Sequence, residues 1–124
     1  MKAPTVLLIL DDLEDLEIYG TFLRDSGYEI RTCNYVGEGI NFLETEFFSL
    51  VIVSQDTPAF AGREALKRSL QLHPGVPVLV VARNLDMHFY LEVMELGATD
   101  YLLMPKPRDF VWVVDSLILQ SAIA

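Results

Sequence analysis

The sequence contains a single cysteine, Cys33, among its 124 residues. One cysteine cannot form a disulfide within the chain, and no second cysteine or histidine stands at ligand spacing beside it. The sequence therefore excludes a disulfide scaffold and a cysteine-based metal cluster. We expect Cys33 to be a small buried apolar residue and not a nucleophile.

Long hydrophobic runs are also absent, although 52% of the residues are hydrophobic. The longest apolar runs, such as Val6–Leu10 and Val78–Ala82, are far shorter than the about 18 residues that a transmembrane helix needs. The first residues lead directly into the Val6–Leu10 run without the cleavage pattern of a secretory signal. We therefore expect a cytoplasmic domain that does not contact a membrane.

Basic residues are scarce: nine Lys and Arg stand against eighteen Asp and Glu, which gives a net charge of −9. Such a chain repels phosphate backbones, so we do not expect this domain to bind nucleic acid. The acidic residues concentrate in one short segment, at Asp11, Asp12, Glu14, Asp15 and Glu17.

Short apolar runs alternate with segments of helical periodicity along the whole chain. The predicted strands are Val6–Leu10, Tyr28–Cys33, Leu50–Val53, Val78–Ala82 and Tyr101–Met104. The predicted helices are Leu13–Asp25, Gly39–Phe47, Arg63–Leu72, Leu85–Leu96 and Arg108–Ser121. Strands and helices that alternate with short loops predict an α/β fold with a parallel sheet covered on both faces. We expect residues 1–124 to form one domain.

Functional residues in such a sheet lie beyond the carboxyl ends of the strands. The first of these ends carries the adjacent carboxylates Asp11 and Asp12. Two roles are open for this pair: capping of the following helix, or binding of Mg²⁺, which prefers oxygen ligands. Arg83 follows the fourth strand, and we consider an ion pair with Asp11, Asp12 or Asp56.

Four segments carry a resemblance to a known family. They are Leu7–Asp12, Leu50–Val53 with Pro58 and Gly62, Val76–Val81, and Gly97–Tyr101 with Pro105. In this order and spacing, the chain resembles the receiver domain of bacterial response regulators over essentially its whole length. The resemblance implies a flavodoxin-like, doubly wound (βα)5 fold with sheet order 2-1-3-4-5. It also implies an aspartyl phosphate donated by a histidine kinase, with Mg²⁺ at the acidic site.

Three positions depart from the family's pattern. The acidic pair matches Asp11 and Asp12, but the phosphoacceptor position falls on Ser54. The switch Ser or Thr falls on Ala82, and the conserved family lysine falls on Met104. The resemblance therefore implies a degenerate receiver (a pseudo-receiver) of two-component or phosphorelay signalling. We expect such a module to act by protein–protein interaction and not as an enzyme.

Two alternatives stay open. Asp56 lies two residues after Ser54 and could be the phosphoacceptor of a working, Mg²⁺-dependent receiver, or the same crevice could bind a small molecule. Mg²⁺ binding by Asp11, Asp12 and Asp56 is expected to be weak, because a third carboxylate is missing from the acceptor position.

The fourth predicted helix has two apolar stripes at helical spacing, where packing on a sheet needs only one. We expect Leu85, Phe89, Val93 and Leu96 to face inward. The second stripe predicts a partner face, made of Met87, Tyr90, Met94, Tyr101 and Trp112. Neighbouring loops that cover this stripe are the simpler interpretation. The expected partner is a histidine kinase, an effector domain, another receiver or a second copy of the chain.

Overall fold

The alternating runs form one sheet with helices on both of its faces. The structure is a computed structural model that describes residues 3–55 and 60–123. Within these residues the strands are β1 (Thr5–Ile9), β2 (Glu29–Cys33), β3 (Leu50–Gln55), β4 (Val78–Ala82) and β5 (Asp100–Leu103). The helices are α1 (Leu13–Asp25), α2 (Val36–Thr45), α3 (Gly62–Leu72), α4 (Met87–Leu96) and α5 (Pro107–Ile123).

The sheet is parallel, and its strands lie in the order β2-β1-β3-β4-β5. This order confirms the fold class that the resemblance implied. β1, β3 and β4 are internal strands, which explains why their sequences read as continuous apolar runs. β2 and β5 are the edge strands.

Alternating residues of the strands supply two separate cores. On one face, Leu7 and Val51 pack with residues of α2, α3 and α4. On the other face, Leu8 and Ile52 pack with residues of α1 and α5. β5 is therefore an edge strand with α4 on one side of the sheet and α5 on the other.

The bounds of α1 and β4 agree with the prediction, whereas α2 differs. The prediction was Gly39–Phe47, but α2 begins at Val36 and ends at Thr45. A Cβ on Gly39 would lie 2.5 Å from Cδ1 of Ile9, so this glycine allows α2 to approach β1 closely and does not interrupt the helix. Phe47 lies beyond the helix and is 83% exposed.

β3 is two residues longer than predicted. Ser54 pairs with Val81 and Gln55 pairs with Ala82, so the ladder between β3 and β4 continues past Val53. Both polar side chains are buried. The acceptor position is thus part of the sheet and not of the loop that follows it.

The expectations for Cys33 and for membrane-spanning helices can also be compared with the structure. Cys33 is buried, and burial, with a smaller contribution from Glu38, raises the pKa of its thiol to about 12. A thiol with this pKa stays protonated at neutral pH, which agrees with a structural role. Across residues 3–55 and 60–123, none of the helices has the length and apolar character needed to cross a membrane.

Candidate functional site at the carboxyl edge of the sheet

The three positions that depart from the family's pattern lie around one small cavity. Ser54, Ala82 and Met104 line it together with Leu10, Asp15, Val81 and Arg83. Its volume is about 10 Å³, which is comparable to the smallest space that holds one water molecule.

Ser54 is a structural link between two loops of this edge. Its side chain is buried, and its Oγ accepts a hydrogen bond of 3.1 Å from the backbone N–H of Asp11. On the other side, a Cβ on Gly62 would lie 3.1 Å from the Ser54 carbonyl oxygen. The end of β3 is therefore packed between the loop that precedes α1 and the first residue of α3.

Asp12 is the N-cap of α1. Its Oδ1 accepts a hydrogen bond of 2.9 Å from the backbone N–H of Asp15. The capping role that the sequence left open for the acidic pair is thus the observed one for Asp12. Asp11 is exposed, and Asp56, the third predicted metal ligand, lies outside the described residues.

Arg83 reaches across the edge of the sheet to the acidic segment. Its guanidinium is ion-paired with Asp15, and its Nη2 lies 3.5 Å from Oδ2 of Asp12. The predicted ion pair with Asp12 is confirmed, whereas Asp15 was not predicted as a partner. A positive charge therefore neutralises part of the acidic cluster that begins α1.

Both carboxylate oxygens of Asp12 already contact other groups. One oxygen caps α1 and the other faces the guanidinium of Arg83. Among the described residues, which do not include Asp56, no group of three or more His, Cys, Asp or Glu is arranged to hold a metal ion. Mg²⁺ needs oxygen ligands at about 2.0–2.1 Å in octahedral geometry, so its binding by Asp12 would compete with these contacts.

Tyr101 is buried and connects β3 to the beginning of α4. Its hydroxyl donates a hydrogen bond of 2.9 Å to Oε1 of Gln55 and accepts one of 3.2 Å from the backbone N–H of Asp86. Asp86 is the N-cap of α4, and its side chain accepts hydrogen bonds from the N–H groups of His88 and Phe89. Burial is the main cause that raises the pKa of Tyr101, so the phenol remains a neutral donor.

The contact between Gln55 and Tyr101 corrects one part of the predicted partner face. Tyr101 is only 5% exposed, because its ring points to the core and its hydroxyl is held by Gln55. Sequence reasoning missed Gln55, although a signal existed. A polar side chain that continues an apolar strand must find a partner when it is buried.

The remaining partner-face residues divide into two groups. Met87 and Trp112 are 70% and 71% exposed, and Tyr90 is also exposed. Met94 is partly buried and packs against the core, so only part of its side chain is accessible at the surface. Leu85 is exposed and not inward as predicted, because α4 begins only at Met87, after the Asp86 cap.

Each of the three elements on the β5 side of the sheet carries exposed apolar side chains. We call this set the β5-edge surface; it consists of Met87, Tyr90 and Leu91 of α4, Leu103 of β5 and Trp112 of α5, all exposed. A shallow apolar depression of about 420 Å³ opens at its α4 end, lined by Leu85, Asp86, Met87, Tyr90 and Tyr101. Exposed apolar patches of this kind are typical of interaction sites.

Comparisons with known proteins agree with the resemblance. The model of the response regulator receiver domain matches residues 6–114. The chain is 29% identical over 105 residues to the transcriptional regulatory protein ZraR of Escherichia coli (strain K12), which is 85% of this chain and 23% of ZraR. It is 26% identical over 120 residues to the response regulator SaeR of Staphylococcus epidermidis (strain ATCC 12228 / FDA PCI 1200), which is 95% of this chain and 52% of SaeR.

The chain thus spans about half or less of the length of these curated relatives. Among solved structures, a CheY-like response regulator receiver domain protein from Methanospirillum hungatei JF-1 superimposes with a TM-score of 0.89 at 26% identity, over 97% of both chains. A response regulator structure from Chloroflexus aurantiacus J-10-fl gives 0.83 at 27% identity, over 95% of this chain and 99% of that one.

The bond between Ser54 and Asp11 predicts a stability effect. In Ser54→Ala the backbone N–H of Asp11 loses its acceptor, so we expect the free energy of unfolding to fall by about 0.5–1.5 kcal/mol. Urea denaturation measures this change. Ser116→Ala is the matched control, because the Ser116 hydroxyl bonds to the Trp112 carbonyl on an exposed helix face, and we expect a change within about 0.5 kcal/mol. Equal stability of Ser54→Ala and wild type would contradict the structural role of Ser54.

Proposed function

Because the chain belongs to the response regulator receiver domain family, we propose that it signals through protein–protein contacts and is not phosphorylated in the family's usual way. Receiver domains of two-component response regulators are signalling modules that interact with kinases and effector domains. We take residues 1–124 as one such domain, in the cytoplasm, with a binding role and no enzymatic activity. The observation that carries the proposal is the buried hydroxyl of Ser54, which stands at the acceptor position in place of a carboxylate and accepts the backbone N–H of Asp11.

The chemistry of phosphoryl transfer supports this proposal. A carboxylate is already ionised and attacks without a base, whereas a serine hydroxyl must lose its proton to an adjacent general base. The Ser54 hydroxyl accepts a hydrogen bond from the backbone N–H of Asp11, and this contact supplies no base for its proton. The transferred oxygens also need cationic and hydroxyl partners, and Ala82 and Met104 offer neither.

The size of the crevice argues against the small-molecule alternative. A cavity of about 10 Å³ between Ser54, Ala82 and Met104 is far below the about 300–1,000 Å³ typical of organic ligand sites. The alternative phosphoacceptor, Asp56, follows the last residue of β3 and lies outside the described residues.

Metal binding is expected to be weak. Members of the family commonly bind Mg²⁺ at the phosphorylation site, where the bound ion supplies charge neutralisation for the phosphoryl oxygens. Here Asp11 and Asp12 would be the protein's carboxylate ligands, with the backbone of Asp56 as a third contributor. We propose an affinity in the millimolar range or weaker, because the acceptor carboxylate is replaced by Ser54.

The β5-edge surface is the proposed docking site. Met, Tyr and Trp side chains are enriched at interfaces, and the exposed residues of α4, β5 and α5 lie around one sheet edge. The bonds of Tyr101 to Gln55 and to Asp86 hold the beginning of α4 against β3. We therefore propose that this surface is available permanently to a protein partner, which is a histidine kinase, an effector domain, another receiver or a second copy of the chain. The acidic charge of the domain disfavours nucleic acid as that partner.

The first test is phosphorylation. We expect wild type, incubated with a small acyl phosphodonor and Mg²⁺, to gain no phosphoryl mass at Ser54 in intact-mass and peptide analysis. Ser54→Asp alone should label weakly, because Ala82 and Met104 still cannot hold the transferred oxygens. The triple variant with Ala82→Thr and Met104→Lys should label more strongly than Ser54→Asp.

Three results would contradict the proposal in different ways. A phosphoryl group mapped to Ser54 would refute the inactive acceptor. Labelling mapped to Asp56 would establish the alternative acceptor. Robust labelling of Ser54→Asp alone would mean that the two other positions matter little.

The second test concerns the β5-edge surface. We expect Tyr90→Ala to weaken self-association or partner binding by about 1–2 kcal/mol if Tyr90 is a hot spot. Association should depend on concentration and not on phosphodonor. Sedimentation over a wide concentration range measures both effects, with the partner added where one is known.

Tyr35→Ala is the matched control, because Tyr35 is also exposed. It is the N-cap of α2, a helix that follows β2 at the opposite edge of the sheet from β5. The variant should associate as wild type does. Met94→Ala should instead lower the stability of the fold, since Met94 packs against the core. A wild type that stays monomeric and binds no partner would contradict the proposal that the β5-edge surface is a docking site.

A further inference from the structure

Arg83 forms ion pairs with carboxylates of the acidic segment, although it lies elsewhere in the sequence. It is the first residue after β4, and the ladder places its neighbour Ala82 beside Gln55 at the end of β3. From there its guanidinium is ion-paired with Asp15, and its Nη2 lies 3.5 Å from Oδ2 of Asp12. The Arg83 guanidinium thus bridges two carboxylates. One belongs to Asp15 in the first turn of α1, and the other belongs to Asp12, the N-cap of that helix.

Three independent features make the same place unfavourable for a divalent cation. The Oδ1 atom of Asp12 is used by the N–H of Asp15. The acceptor position offers a hydroxyl that is used by the N–H of Asp11. The guanidinium of Arg83 adds a positive charge within a few ångströms of the carboxylates that a metal would need.

We propose that the guanidinium of Arg83 takes the place of a divalent cation and keeps Mg²⁺ from the acidic segment. Arg83 offsets the repulsion between the carboxylates of Asp12 and Asp15, which a metal ion would otherwise relieve. Guanidinium binds carboxylates through a planar set of donors and never loses its charge in a protein. At low Mg²⁺ concentration the acidic segment therefore keeps its ion pairs with Arg83 and not with a metal ion.

The competition between Arg83 and a metal ion is measured as a metal affinity, whereas docking and phosphoryl transfer are measured by sedimentation and by mass analysis. A negative result for the metal affinity is therefore distinguishable from a negative result for the other two. In water, a unit positive charge about 5 Å from a divalent cation lowers the affinity for that cation by about ten-fold. Removal of the guanidinium should therefore raise the affinity by that factor.

The experiment measures Mn²⁺ binding to the full chain by electron paramagnetic resonance of the free ion, and Mg²⁺ binding by NMR titration of backbone amides. We expect Arg83→Ala to bind either ion about ten-fold more tightly than wild type. The amides of Asp11 and Asp12 should report the binding. Arg83→Lys keeps the positive charge, so its affinity should stay closer to that of wild type than the affinity of Arg83→Ala does.

Arg31→Ala is the matched control, because Arg31 forms a similarly exposed ion pair with Glu46 away from the acidic segment. Its metal affinity should equal that of wild type. Thermal unfolding of each variant establishes that the fold is retained, as expected for exposed arginines. Equal affinities of Arg83→Ala and wild type would overturn the proposal, as would micromolar Mg²⁺ binding by wild type.

Discussion

The hydrogen bond from the backbone N–H of Asp11 to Oγ of Ser54 joins the ends of the two central strands, β1 and β3. It holds the end of β3 against the loop that precedes α1, and this is where the acidic segment begins. The cavity that Ser54 lines with Ala82 and Met104 has a volume of about 10 Å³, comparable to the smallest space that holds one water molecule. At the acceptor position, the Ser54 hydroxyl thus contacts the backbone of Asp11, where the family's chemistry needs a carboxylate that faces a phosphoryl group.

Contacts within the protein also hold the acidic segment and the beginning of α4. Arg83 pairs with carboxylates of the acidic segment, so the cluster contains its own counter-ion. Tyr101 bonds to Gln55 and to Asp86, so the N-cap of α4 is attached to β3. A domain whose acidic segment and α4 N-cap are both held by internal contacts suits the proposed constant binding better than switching, which requires two arrangements of similar free energy.

The fold could be predicted from the sequence, whereas the contacts of the site could not. Apolar runs and helical spacing identified α1 and β4 with their observed bounds, and the resemblance supplied the strand order. Arg83 and Asp15 are 68 residues apart in sequence, and Tyr101 and Gln55 are 46 apart. Such pairs depend on strand length and register, and β3 was predicted two residues too short. Helical periodicity also failed at Leu85, because the Asp86 cap begins α4 later than the apolar pattern does.

The central claim is that the carboxyl edge does not respond to a phosphoryl group. NMR titration of the wild type with beryllofluoride, a phosphoryl mimic, in the presence of Mg²⁺ tests it most directly. The account predicts that the amides of Ser54, Asp86 and Tyr90 keep their chemical shifts, within the changes caused by NaCl at the same ionic strength. A saturable change that extends from Ser54 to Asp86 and Tyr90 would contradict the claim, because it would identify a working switch between the site and α4.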